Sequence, residues 1–179
     1  ISWIFYCLVS FMLLPSLSAA ERFVTNESNG FTWIQQGKAY PILVDSQEDK
    51  GVLRAVANLQ TDAGKVTGAT PEIIHSPSGK RILIVGSVEN SSWIKQLVQA
   101  GKIPAADLKG KREKYILQTV KQPVEGVEEA IVIAGSDKRG TIYGIYELSR
   151  QMGVSPWYFW ADVPVEKHGV NGHLRQKGK

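Results

Sequence analysis

Apolar residues follow two different periods along this chain. Residues 39–45, 81–86 and 130–134 are short, nearly continuous apolar runs bounded by turn formers, which predicts buried strands, and residues 72–75 read as a further strand. Residues 114–120 alternate instead, which predicts a strand with one face exposed. Between the runs, Val52, Leu53, Val56, Leu59, Ala63 and Val66 recur at helical spacing. Gly68 stands where a helix C-cap belongs, with Pro71 shortly beyond, so the helix is expected over about residues 50–67. Ser91 or Ser92 caps a second helix that runs to about Ala100 and closes at Gly101. A third, from Arg139 to about Met152, sets Ile142, Ile145, Tyr146, Ser149 and Met152 on one stripe. Gly140 and Gly144 lie one turn apart in it. Each costs roughly 1 kcal/mol relative to Ala, so a pair implies close packing on a sheet. Residues 103–111 read as a short polar connection, and residues 21–38 as an edge strand or hairpin leading in. The fold class expected is α/β, a mixed sheet with helices packed on it.

The two ends depart from this pattern. Ile4 to Leu14 is apolar but too short to span a bilayer, and Ser18-x-Ala20 offers small residues at the spacing signal peptidase requires. Residues 1–20 are therefore expected to be a secretory signal, placing the protein in the periplasm or outside the cell, with no membrane partner once the signal is removed. The single cysteine, Cys7, lies inside that signal, so no disulfide holds the domain. Residues 21–155 form the expected α/β domain, 156–167 an aromatic junction, and 168–179 a tail without periodicity, expected to be disordered. The net charge of +4 draws on that tail, where Arg175, Lys177 and Lys179 stand without acids. A basic tail is not a basic stripe, and nucleic-acid binding is excluded as a function class.

Candidate chemistry thins out on inspection. Gly135-Ser136-Asp137-Lys138-Arg139-Gly140-Thr141 lies between a buried strand and a helix, with the two glycines of a phosphate loop. That motif needs Lys directly after the second glycine, and Thr141 stands there; the stretch reads as a helix capped by Ser136 or Asp137. His75, His168 and His173 are scattered, so no metal is expected, and no cofactor either. The carboxylate pairs Glu48-Asp49 and Glu128-Glu129 read as solvated loop charge. The aromatic run Trp157-Tyr158-Phe159-Trp160 is more specific. Indole faces stack on the C–H faces of sugar rings, so Trp157 and Trp160 are candidates for a sugar site, while Tyr158 and Phe159 read as packing. A free carbohydrate-binding module built on this strand is the alternative reading.

Residues 136–146 (Ser-Asp-Lys-Arg-Gly-Thr-Ile-Tyr-Gly-Ile-Tyr) and 153–164 (Gly-Val-Ser-Pro-Trp-Tyr-Phe-Trp-Ala-Asp-Val-Pro) together resemble the end of the N-terminal domain of glycoside hydrolase family 115. Residues 42–45, the helix carrying Val52, Arg54, Ala55, Leu59 and Asp62, and Ile84-Val85-Gly86 are similar too, so the resemblance spans about Phe31 to Lys167. Members of that family are xylan α-1,2-glucuronidases, which remove (4-O-methyl)glucuronic acid by an inverting mechanism. The resemblance implies an accessory domain of the kind preceding a (β/α)8 barrel, the barrel supplying the catalytic acids. After Lys167 this chain departs from the family, and it is expected to be a fragment, or the product of a truncated or frameshifted gene, that ends before the barrel. No catalytic residue carries over. Trp157 and Trp160, with Asp162, are the positions the resemblance implies at the border of the uronate pocket. Glucuronoxylan is the implied partner, in a full-length enzyme only.

Overall fold

The computed structural model describes residues 24–25, 31–35, 38–155 and 172–174. The elements run β1 (Val24–Thr25), β2 (Phe31–Gln35), β3 (Lys38–Ala39), β4 (Ile42–Val44), α1 (Lys50–Thr67), β5 (Ile73–Ile74) and β6 (Arg81–Ser87). They continue with α2 (Ser92–Gln99), β7 (Tyr115–Lys121), β8 (Glu129–Gly135), α3 (Lys138–Gln151) and β9 (Gly172–Leu174).

The main sheet has the order β5-β4-β6-β8-β7. Its first four strands are parallel, and β7 closes one edge antiparallel to β8, which makes the sheet mixed as expected. Alternation along the strands sorts the core into two halves. Ile42, Val44, Leu83, Val85, Ile131 and Ile133 face α1 and α3, whose Val56, Leu59, Ile145 and Leu148 complete that cluster. Leu43, Ile82, Ile84, Val132 and Ala134 face the other way, under Ile94 and Leu97 of α2. A strand buried on both faces has no polar side to show, which is why these runs are continuously apolar.

Local chemistry sets the helix ends. The Asp49 side chain accepts from Gly51 N at the start of α1, and Gly68 ends the helix in the left-handed region at φ 76°. Ser91 caps α2 and Asp137 caps α3. The two glycines of α3 serve the close approach the sequence implies. A Cβ on Gly140 would lie 2.1 Å from the Lys114 carbonyl oxygen, and one on Gly144 would lie 2.7 Å from Ile133 Cγ2.

Three expectations need correction. The buried stripe of α3 is Thr141, Gly144, Ile145, Leu148, Ser149 and Met152, so Leu148 belongs to it and Tyr146 does not. Tyr146 is 40% exposed, because at 100° per residue it falls off the centre of that stripe, and its hydroxyl accepts from Asn58 Nδ2 at 2.9 Å. The connection over 103–111 is not merely polar: a 3-10 turn at Ala105–Asp107 lets Ile103 and Leu108 drop beside α2. The tail is not wholly without structure, since β9 lies between β1 and β2 in a second, four-stranded sheet of order β1-β9-β2-β3. From that sheet Trp33 and Ile34 enter the core beneath α1 and α3, and Trp33 Nε1 donates to the Tyr40 carbonyl at 2.8 Å.

Gly140→Ala is expected to lower stability in urea unfolding by about 1–3 kcal/mol, the usual cost of forcing atoms into a filled site. A midpoint equal to the parent's would mean that α3 does not sit this close to β7.

Candidate functional site

In a parallel sheet every strand's carboxyl end lies on the same edge, and ligands of such folds bind there, where successive connections leave for opposite faces. In this chain α1 leaves β4 for one face and α2 leaves β6 for the other, so the crevice falls between β4 and β6. All three helices begin at this edge. Their free backbone N–H groups and dipoles favour negative charge.

The chain fills the crevice with its own carboxylates. Glu48 is only 5% exposed. Its Oε1 accepts from Ser87 N at 2.5 Å and from Ser87 Oγ at 2.9 Å, and Oε2 accepts from Asp49 N at 3.2 Å. Ser87 Oγ in turn accepts from Asn90 N at 3.1 Å, so the group ties the start of α1 to the turn before α2. Beside it, Asp45 Oδ2 accepts from both the amide and the hydroxyl of Ser92, at 2.9 and 2.5 Å. Partial burial alone would raise the Asp45 carboxyl. The bonds from Ser92 and the Gln47 amide, with Lys95 nearby, outweigh it and hold the group below its ordinary range.

At the end of β8 the third carboxylate does the same work. Asp137 Oδ1 accepts from Gly140 N at 2.7 Å, and Oδ2 from Glu113 N at 2.8 Å. Here too burial would raise the group, but the amides of Gly140, Glu113 and Arg139 and the Arg139 charge hold it low. Glu113 sits in the left-handed region at φ 56°, strained for a residue with a side chain. Its place is fixed by the Asp137 bond and by an ion pair with Arg139 at 2.9 Å. The neighbouring Lys114 exchanges two bonds with Ser136, N to Oγ at 3.0 Å and O from N at 2.8 Å.

The phosphate-loop reading fails on geometry as well as on sequence. Thr141 is fully buried and its Oγ donates to the Asp137 carbonyl at 2.8 Å, while Lys138 reaches Asp49 at 3.8 Å. A Cβ on Gly135 would lie 2.2 Å from Thr141 N, and one on Gly86 would lie 2.5 Å from Ser91 Cβ. At both glycines the space beside the backbone is already filled by the residues that open the following helix.

The sequence treats Glu48-Asp49 as solvated charge, and this is overturned: Glu48 is buried and bonded, and Asp49 is a cap. The signal available was position, an acid just after a buried strand and just before a helix. Glu128 does behave as surface charge, pairing with Lys80 at 2.9 Å, whereas Glu129 opens β8. Trp157, Trp160 and Asp162 lie outside the described residues. Among the described residues no cluster of His, Cys, Asp and Glu could hold a metal. At the opposite edge of the sheet an open groove of about 550 Å³ runs beside the β7–β8 turn. Its one lysine, Lys102, is tethered to the carbonyl of Gln122.

A family model described as glycosyl hydrolase family 67 N-terminus matches residues 32–148. Among solved structures, BtGH115A, a family GH115 4-O-methyl-α-glucuronidase with specificity for decorated arabinogalactans, is similar at TM-score 0.63 and 36% identity. The similarity covers 82% of this chain and 17% of that one, so the chain corresponds to a minor part of that enzyme's length. A second structure, CpGH84D, shares the fold at TM-score 0.50 and 11% identity, over 74% of this chain and 20% of its own. No curated protein sequence matches.

Glu48→Ala is expected to cost about 1–3 kcal/mol in urea unfolding, because the Ser87 amide and hydroxyl lose their buried acceptor. Asp137→Ala should cost about 1 kcal/mol at neutral pH, the usual worth of a helix N-cap. A lowered carboxyl stabilises the fold above its unfolded value and loses that effect as pH falls through its folded one. The Asp137 difference should therefore begin to fade below about pH 4, where the unfolded chain takes up the proton, and be gone once the pH falls below the folded value.

Proposed function

On the premise that this chain belongs to the family of glycosyl hydrolase family 67 N-terminal domains, we propose that it is the non-catalytic N-terminal domain of an exported α-glucuronidase. The observation that carries this reading is the 36% identity to a family GH115 4-O-methyl-α-glucuronidase across 82% of the chain. It fits the family resemblance carried by residues 136–146 and 153–164.

The site geometry supports a supporting role. General acid–base cleavage of a glycosidic bond needs two carboxyls at a set separation, one of them kept protonated near neutral pH. At the polar edge of this sheet Asp45, Glu48, Asp49 and Asp137 are each committed to backbone amides or hydroxyls. Asp45 and Asp137 are also held low, the wrong direction for a general acid. The catalytic acids then come from another part of the enzyme, and the reaction there is inverting. The bond cleaved joins an α-linked glucuronic acid, or its 4-O-methyl ether, to a polysaccharide, with xylan as the backbone. By the family resemblance, Trp157 and Trp160, with Asp162, are the positions assigned to the border of the uronate site. Export rests on residues 1–20; among the described residues no helix is long and apolar enough to cross a membrane.

The purified chain, incubated with glucuronoxylan and separately with glucuronidated arabinogalactan, is expected to release no glucuronic acid between pH 4 and 8. Release from either substrate would overturn the non-catalytic reading. Negligible retardation in affinity gels containing the same polysaccharides is expected of a dependent domain, and strong retardation would favour a free binding module.

A further inference from the structure

The seam between α1 and α3 contains one acid that no part of the polar edge explains. The two helices run side by side, matched by Asp49 with Lys138, Asn58 with Tyr146, and Asp62 near Ser149. Asp62 is 1% exposed and Ser149 3%. Asp62 Oδ2 and Ser149 Oγ both lack a hydrogen-bond partner, although each is buried. Other core-facing positions of α1 around Asp62 are Ala55, Leu59, Ala63 and Val66.

A carboxylate oxygen with no donor in such a place is costly, and the usual release is to take up a proton. Burial pushes the Asp62 carboxyl up; the neighbouring Ser149 hydroxyl and Lys65 offset this only in part. The surroundings hold little else to fix a charge. On α3 Glu147 and Arg150 are bonded to each other, at 2.6 and 2.8 Å. The strands below contribute Ile42, Leu83 and Ile131, and the titratable group at the margin of the same cluster is Tyr40.

We propose that Asp62 is a proton-operated latch on the end of α3. Protonated by solvent, its Oδ2–H donates to Ser149 Oγ and closes the seam. Ionised, it carries a buried charge that the Ser149 hydroxyl and Lys65 offset only in part, and the last turn of α3 loosens. The sign follows from linkage. A carboxyl raised in the folded state makes the fold bind more protons than the unfolded chain, so its contribution is complete below the ordinary Asp value of 3.8 and is lost as pH rises through the folded value.

Thermal unfolding of the chain and of Asp62→Asn across pH 4 to 8 tests the latch. The variant is expected to melt within error of the parent at pH 4 and above it by about 5 °C at pH 8. A difference that does not change with pH would overturn the proposal. Should the variant fail to fold, carboxyl-carbon NMR of the parent decides alone: one aspartate titrating well above the ordinary range supports the latch, and all aspartates at or below it refute it. Hydrogen exchange at Leu148 to Gln151 supplies the structural readout. Protection, corrected for the intrinsic rate, should fall with rising pH in the parent; protection independent of pH would show that α3 does not respond.

Discussion

Seven consecutive parallel rungs join β6 to β8, from Arg81 opposite Glu129 to Ser87 opposite Gly135, and the rest of the domain follows from that ladder. Parallel strands cannot be joined by a tight turn, so the chain between them must travel back across a face of the sheet. Strands apolar on both sides need cover on both sides, which α1 with α3 and α2 supply. Because β4, β6 and β8 point the same way, their carboxyl ends and all three helix starts collect on one edge. That edge gathers unsatisfied amides whether or not the protein has a ligand for them.

In related architectures a bound anion can meet that need. This domain meets it internally, with Glu48 on Ser87, Asp45 on Ser92 and Asp137 on Gly140 and Glu113. A strand-turn-helix carrying two glycines is therefore no sign of phosphate chemistry by itself. What decides is how the turn is packed, and in this chain Thr141 and Ser91 occupy the space beside Gly135 and Gly86. The same arrangement explains how a domain from a hydrolase family can gather carboxylates at one edge that are each already bonded within the chain.

Much of the fold is legible in the sequence because burial on both faces writes itself as runs such as Ile82 to Val85, and because Gly68 marks a helix end by a conformation few other residues adopt. The site is less legible. Glu48 looks like loop charge because its partner, Ser87, is brought near only by the pairing of β4 with β6, which no local window contains. Asp62 sits on the apolar stripe of α1 and could be read there, since its helical neighbours Leu59 and Val66 are both core. Tyr146 misleads for the opposite reason: its ring suggests burial, while its angular place on α3 puts it outside. Strand β9 was invisible because three residues have no period.

The glycines of the polar edge also bear on how such a domain can vary over time. Gly86, Gly135 and Gly140 have backbone or neighbouring side-chain atoms where a Cβ would stand, so even the smallest change there displaces a helix. Gly79 and Gly126, in turns at the other end of the strands, have open space around them, and there only their left-handed φ of 89° and 79° favours glycine. Drift, and insertions that lengthen a connection, can accumulate at that far end without disturbing the sheet. The polar edge is the end that descendants of this chain must inherit unchanged, because its glycines have no room for a side chain.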